Sequence, residues 1–251
     1  MKVEERLKRI ISLDGAAHLT LIDPEKQSPE QAGVMASDAE AAGTDGIMVG
    51  GSTRAGGKLL DDTVVSIKRN TELPVILFPA SEAGISSHAD AIFFMSMLNS
   101  RDVYYITGAQ TLGAPIIKKL GLEPIPMAYL VVEPGGTVGR VGRAELIPRD
   151  DKELAVAYAL AAQYFGMRLV YLEAGSGADR PVPVEMVRAV REATDVILIV
   201  GGGIKTPEAA AERVRAGADI IVTGTIVEQS DDRRARISEI VTAIKKAKRG
   251  K

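Results

Sequence analysis

The chain has no cysteine and no tryptophan, two histidines, and only 4% aromatic residues among its 251 positions. Each absence removes a class of function. Without cysteine there is no disulfide framework, no thiol nucleophile and no thiolate metal site, which fits a reducing compartment. Any metal is then held by oxygen or by His18 and His88. A net charge of −2 with so few aromatics leaves no basic, base-stacking surface, so nucleic acid is not an expected partner. No apolar run approaches the ~18 residues of a membrane span. Met1 to Ile11 is a charged helical pattern without the apolar core of a secretory leader, so the expectation is a cytoplasmic protein. The basic tail, Lys245 to Lys251, reads as a solvated helix end, with transient membrane-surface contact as the alternative.

What is present is a chain 46% apolar and 25% charged, enough to bury one core across residues 1–251 as a single domain. Strand-like apolar runs recur at His18 to Ile22, Gly46 to Val49, Val75 to Phe78, Ala91 to Met95, Met127 to Val132, Arg168 to Leu172, Val196 to Val200 and Ile220 to Thr223. Alanine-rich amphipathic helical patterns separate most of them: Pro29 to Ala42, Leu60 to Asn70, Gly108 to Leu120, Asp151 to Tyr164, Pro183 to Ala193, Pro207 to Ala216 and Asp232 to Lys248. Eight such alternations imply an α/β fold, the (β/α)8 TIM barrel. One unit departs from it. Pro79 to Asp90 is too short and too poorly patterned for a helix between strands 3 and 4. The gap, floored by Ile92, Phe93, Phe94, Met95 and Met97, could hold a long apolar ligand, or could be a repaired irregularity. Glu133 to Asp150 reads as a second irregular stretch, of the kind that forms lids or oligomer contacts.

Three glycine-rich segments follow strands six to eight: Tyr171-Leu172-Glu173-Ala174-Gly175-Ser176-Gly177, Val200 to Thr206 with Gly202 and Gly203, and Val222 to Thr225 with Gly224. Together they read as a phosphate cup, the second opening a helix whose N–H groups attract an anion. In a barrel of this kind the phosphate site falls after strands seven and eight. Asp23 ends the first strand and suits Mg²⁺, which takes one or two protein oxygens and keeps water and substrate oxygens; a turn aspartate before Pro24 is the plain alternative. Ser52, in Gly50-Gly51-Ser52-Thr53, stands beside it and could hold a diphosphate and its metal. Glu173 lies inside the cup segment, where a carboxylate could act as general base on a substrate hydroxyl oriented by Tyr171. His18 reads as a core or rim histidine. Lys26 and Arg54 could add positive charge at the mouth, and Tyr104 and Tyr105 could either line a tail groove or simply pack.

A cup alone fits many barrel phosphate enzymes, phosphosugar isomerases and lyases among them. No lysine lies within a strand run, which argues against Schiff-base chemistry. An acidic site, a phosphate cup and an apolar opening together suggest prenyl transfer. The segments Leu21 to Lys26, Gly46 to Thr53, Tyr171 to Gly177, Val200 to Ile204 and Val222 to Thr225 resemble those of the geranylgeranylglyceryl phosphate synthase family, which includes the heptaprenylglyceryl phosphate synthases.

The resemblance implies a Mg²⁺-dependent prenyltransferase of ether-lipid biosynthesis. It would move a geranylgeranyl group from geranylgeranyl diphosphate to the 3-hydroxyl of sn-glycerol 1-phosphate, releasing diphosphate. Carried over by position, Asp23 and Ser52 would hold Mg²⁺. Tyr171, Leu172, Glu173, Ala174, Gly175, Ser176, Gly177, Gly202, Gly203, Gly224 and Thr225 would hold glycerol 1-phosphate, with Glu173 taking the hydroxyl proton. The family's barrel lacks the same helix. Length and the Glu133 to Asp150 stretch look like its larger subgroup, a dimer-based homo-oligomer reaching a hexamer. Another prenyl chain length remains the alternative within the family. A phosphosugar isomerase or lyase is the enzymatic rival, and a degenerate phosphate-binding barrel the non-enzymatic one.

Overall fold

The computed structural model describes residues 1–51, 56–224 and 232–247, and within them the chain closes a barrel of eight parallel strands. The strands are β1 (Ala17–Ile22), β2 (Gly46–Gly50), β3 (Val75–Phe78), β4 (Ala91–Met97), β5 (Glu123–Val131), β6 (Leu169–Glu173), β7 (Ile197–Gly201) and β8 (Ile220–Thr223), in sequence order around the ring. Strand alternation sorts side chains into two cores. Leu19, Met48, Ile76, Phe93, Met127, Tyr171 and Ile199 fill the barrel. Ile22, Val49, Leu77, Leu130, Leu172 and Val200 point outward against the helices.

Helix α1 (Val3–Asp14) closes the floor. Val3 and Leu7 enter the inner core, and Glu123 accepts the N–H groups of Val3 and Glu4 at 2.6 and 3.0 Å. The outer wall comprises α2 (Pro29–Ala41), α3 (Gly57–Asn70), α4 (Ala109–Leu120), α6 (Lys152–Tyr164), α7 (Val184–Ala193), α8 (Pro207–Arg215) and α9 (Arg233–Lys246), with a short α5 (Gly136–Val141) in the loop after β5. Helix starts follow their side chains: Ser28 caps α2 and Thr206 caps α8, each followed by proline at the first helical position.

Between β3 and β4 only a three-residue turn, Glu82–Gly84, is helical, so the expected gap is present. Two residue pairs join β3 to β4, against seven joining β4 to β5. Across the gap, α4 begins in a wide π turn (Tyr104–Gly108), which the Gln110 amide ties to β4, donating to Met95 O at 2.5 Å and to Tyr105 O within the turn at 3.2 Å.

Four expectations change in detail. β5 starts at Glu123 rather than Met127, because Pro124 and Pro126 stand where only β4 is a neighbour, so their missing N–H groups cost no ladder bond. The stretch Glu133 to Asp150 is not wholly irregular but contains α5. α8 begins at Pro207 as expected, but Gly202 and Gly203 stand in a turn ahead of it, so the Val200 to Thr206 segment leads into the helix rather than opening it. Lys245 is not a free surface charge: it pairs with Asp14 at 2.8 Å and Asp45 at 2.9 Å, while residues 248–251 lie outside the described residues. Among the described residues no helix is long and apolar enough to cross a membrane.

Candidate active site

The strands deliver their C-terminal ends to one mouth, where a cavity of about 400 Å³ opens. Its centre is lined by Asp23, Gly51, Phe78, Tyr129, Glu173, Ser176 and Gly224. From there it runs sideways through the missing-helix gap over Ile85, Ile92, Phe94, Met95, Gly113 and Ile117. All five apolar residues named as the floor of the gap line it, as does Tyr105. Tyr104 instead packs edge-on against Tyr105 and donates its hydroxyl to Glu82 across the gap.

Glu173 is 6% exposed, the last residue of β6, and inward-facing by strand parity. Its Oε1 accepts the Gly175 N–H at 2.6 Å, and the phenols of Tyr171 and Tyr129 donate to the same carboxylate. Burial pushes the Glu173 carboxyl above the ordinary range, while these three donors pull the other way. The phenols are pushed far up by burial and by the Glu173 charge, so they stay protonated donors. Tyr129 was not singled out from the sequence. It sits opposite Tyr171 in the β5–β6 ladder, and Phe78 stacks on Tyr171 and meets Tyr129 edge-on, at 5.7 and 5.4 Å between ring centres.

Asp23 follows β1 on the opposite side of the mouth, 8% exposed. Its Oδ1 accepts the Glu25 N–H at 3.1 Å, and a Cβ at Gly51 would push its carboxylate aside. Lys26 reaches the same cavity. Ser52, Thr53, Arg54 and Thr225 lie outside the described residues.

The cup segments converge. Gly175 packs on Gly135, where a Cβ would come within 2.8 Å of the carbonyl carbon, and Gly203 packs on the backbone of 178–181. Gly202 and Gly203 have φ of 79° and 71°, a region that favours glycine. Among the described residues, no protein acceptor takes the N–H groups of Ser176, Gly177, Gly202, Gly203 or Gly224. Ser176 and Gly224 line the cavity, and uncommitted N–H groups at glycine-rich turns suit an anion. The Gly175 N–H is committed to Glu173. Leu172 and Ala174 face away from the mouth into the outer core, and Ala174 spends its backbone on Gly201 O and the Gly135 N–H. His18 also lies outside the mouth, fully buried between Thr44 (2.8 Å) and Thr223 (2.9 Å).

The PcrB family model matches residues 8–244. The chain belongs to the PcrB family. Geranylgeranylglyceryl phosphate synthase from Methanosarcina acetivorans is 57% identical over 246 residues, 98% of this chain and all of that one. The Pyrococcus horikoshii enzyme of the same name is 62% identical over 89% of each chain. The crystal structure of (S)-3-O-geranylgeranylglyceryl phosphate synthase from Thermoplasma acidophilum, in complex with substrate sn-glycerol-1-phosphate, superposes with a TM-score of 0.95 at 51% identity, covering 98% of this chain and 99% of that one. Within PcrB, then, this chain stands with the geranylgeranylglyceryl phosphate synthases.

Proposed function

We propose that the mouth transfers a geranylgeranyl group from its diphosphate to the 3-hydroxyl of sn-glycerol 1-phosphate, with Glu173 as general base. The chain is a prenyltransferase of the geranylgeranylglyceryl phosphate synthase kind. The observation that carries the site assignment is a buried carboxylate held by two phenols, set between glycine-rich loops with uncommitted N–H groups and an apolar groove.

The N–H groups of Ser176, Gly177, Gly202, Gly203 and Gly224 bind the acceptor phosphate, leaving its far hydroxyl at Glu173. Glu173 accepts that proton as the oxygen attacks the allylic carbon and the carbon–diphosphate bond breaks. Tyr129 and Tyr171 hold the carboxylate still and keep it a base despite its burial. At about 0.8 kcal/mol per buried CH₂, a twenty-carbon tail in the groove positions the reacting carbon. Mg²⁺ fits the acidic side: Asp23 offers a hard oxygen in a recess that a side chain at Gly51 would fill. Among the described residues no cluster of three or more His, Asp or Glu forms a cage, which suits an ion held by one carboxylate and substrate oxygens. Bound there with Ser52, Mg²⁺ would neutralise the departing diphosphate. A homo-oligomer agrees with the exposed neighbours Tyr164 and Phe165, 78% and 73% accessible.

The test offers Mg²⁺, both glycerol phosphate enantiomers and prenyl diphosphates of three lengths. Diphosphate release fastest with sn-glycerol 1-phosphate and the geranylgeranyl donor is expected; release with no pair sinks the reading.

A further inference from the structure

The two cup loops after β6 and β7 and the loop after β5 beside them meet through bare backbone. Gly135, after β5, touches Gly175, after β6; Gly203, after β7, would place a Cβ 2.9 Å from both the Ala178 carbonyl oxygen and the Arg180 carbonyl carbon. Glycine contacts of this kind set distance but bring no side chains to hold it. Two arginines supply the hold from behind. Arg149 donates Nη1 to Glu133 O at 3.1 Å and Nη2 to Pro181 O at 2.8 Å, tying the β5 loop to the β6 loop. Arg213, on α8 beyond the β7 loop, is 8% exposed and donates Nε to Val182 O at 3.1 Å. Its Nη1 donates to Ala209 O at 3.2 Å and to Glu212 at 2.8 Å.

Burying a guanidinium is costly unless its donors are used. Here the donors go mainly to loop carbonyls, and the two chemically adjacent carbonyls Pro181 O and Val182 O are taken by different arginines. A planar fork can bridge two loops where a lysine reaches one acceptor direction at a time. Burial lowers both groups, with Arg180 adding to the effect on Arg149 and Arg149 to that on Arg213, so positive charge gathers behind the cup loops.

We infer that Arg149 and Arg213 are positioning residues for the acceptor phosphate: by clamping residues 181–182 they hold the 178–181 backbone against Gly203 and so fix the spacing of the cup's N–H groups. This rests on reading the cup as the acceptor-phosphate site. Neither arginine lines the cavity, so the loss falls on acceptor binding rather than on chemistry.

The experiment uses the full chain and the partly exposed member, Arg149→Met and Arg149→Lys. Calorimetry with sn-glycerol 1-phosphate gives Kd, and steady-state kinetics give KM for each substrate. Arg149→Met is expected to weaken the acceptor about 10-fold or more, the scale of a charged hydrogen bond. KM for geranylgeranyl diphosphate and kcat at saturation stay within about twofold of the parent. Arg149→Lys lies between, and millimolar guanidinium restores Arg149→Met. An unchanged Kd overturns the inference, as does an equal loss for both substrates. A parent chain that binds no glycerol phosphate removes the cup reading itself, and this inference with it.

Discussion

A Cβ at position 202 would overlap Oε1 of Glu173, and one at position 201 would overlap the hydroxyl of Tyr171. The glycine that ends β7 and the one after it therefore make room for Glu173, the proposed base, and for its phenol. Gly202→Ala is expected to displace the carboxylate, with φ of 79° adding backbone strain. Turnover falls at least ~10²-fold, the cost of a misplaced catalytic group. Melting and turnover measured together check it; parent-like turnover in a folded variant refutes it.

Glu173→Gln keeps the shape and hydrogen-bonding size of the side chain but removes the base. It is expected to lower kcat by ~10³-fold while acceptor affinity changes little. The pH profile carries a sharper test. The base must be ionised, so kcat falls as pH drops through the raised Glu173 pKa. Tyr129→Phe or Tyr171→Phe removes a donor that favours the carboxylate, so the acid limb moves to higher pH. A limb that stays put, or moves down, contradicts the assignment.

Asp23→Asn removes the charge from the recess beside Gly51. Mg²⁺-dependent turnover is expected to be lost to at least ~10²-fold, with glycerol phosphate binding retained. Unchanged dependence of rate on Mg²⁺ concentration would rule out Asp23 as the ligand.

His18 gives a prediction about stability rather than rate. Burial holds its folded-state pKa at about 3, below the ordinary 6.5. Below the ordinary value the unfolded chain takes up a proton that the folded chain refuses, so stability is full above pH ~6.5 and falls as pH drops toward the folded value. Between pH 6.5 and 5 the contribution lost is about 2 kcal/mol. Urea unfolding at both pH values checks it, with His18→Asn expected to flatten the slope; an equal slope in the variant removes His18 as the cause.

How far the sequence leads can be judged from individual residues. The glycine segments, Asp23 and Glu173 were legible because each ends an apolar run, and run ends in a barrel share one face. The missing helix was legible because Pro79 to Asp90 is short. Tyr129 was not, since its meeting with Tyr171 depends on the β5–β6 register, and apolar patterning does not give inter-strand stagger. The outward set of Leu172 and Ala174 follows from strand parity once Glu173 is known to face inward, but a motif read as one block hides it. α5 was hidden by its glycines, which read locally as loop.

Where the wall lacks its helix, Ile85, Phe94 and Met95 stay half-buried and line the groove. A hydrocarbon tail bound there, as proposed, would cover them. Substrate then acts as part of the core, and occupancy is linked to folding: each donor should raise the melting temperature according to the length of chain it buries, even with the acceptor absent. The seam between β3 and β4 would then owe its closure to the lipid it binds.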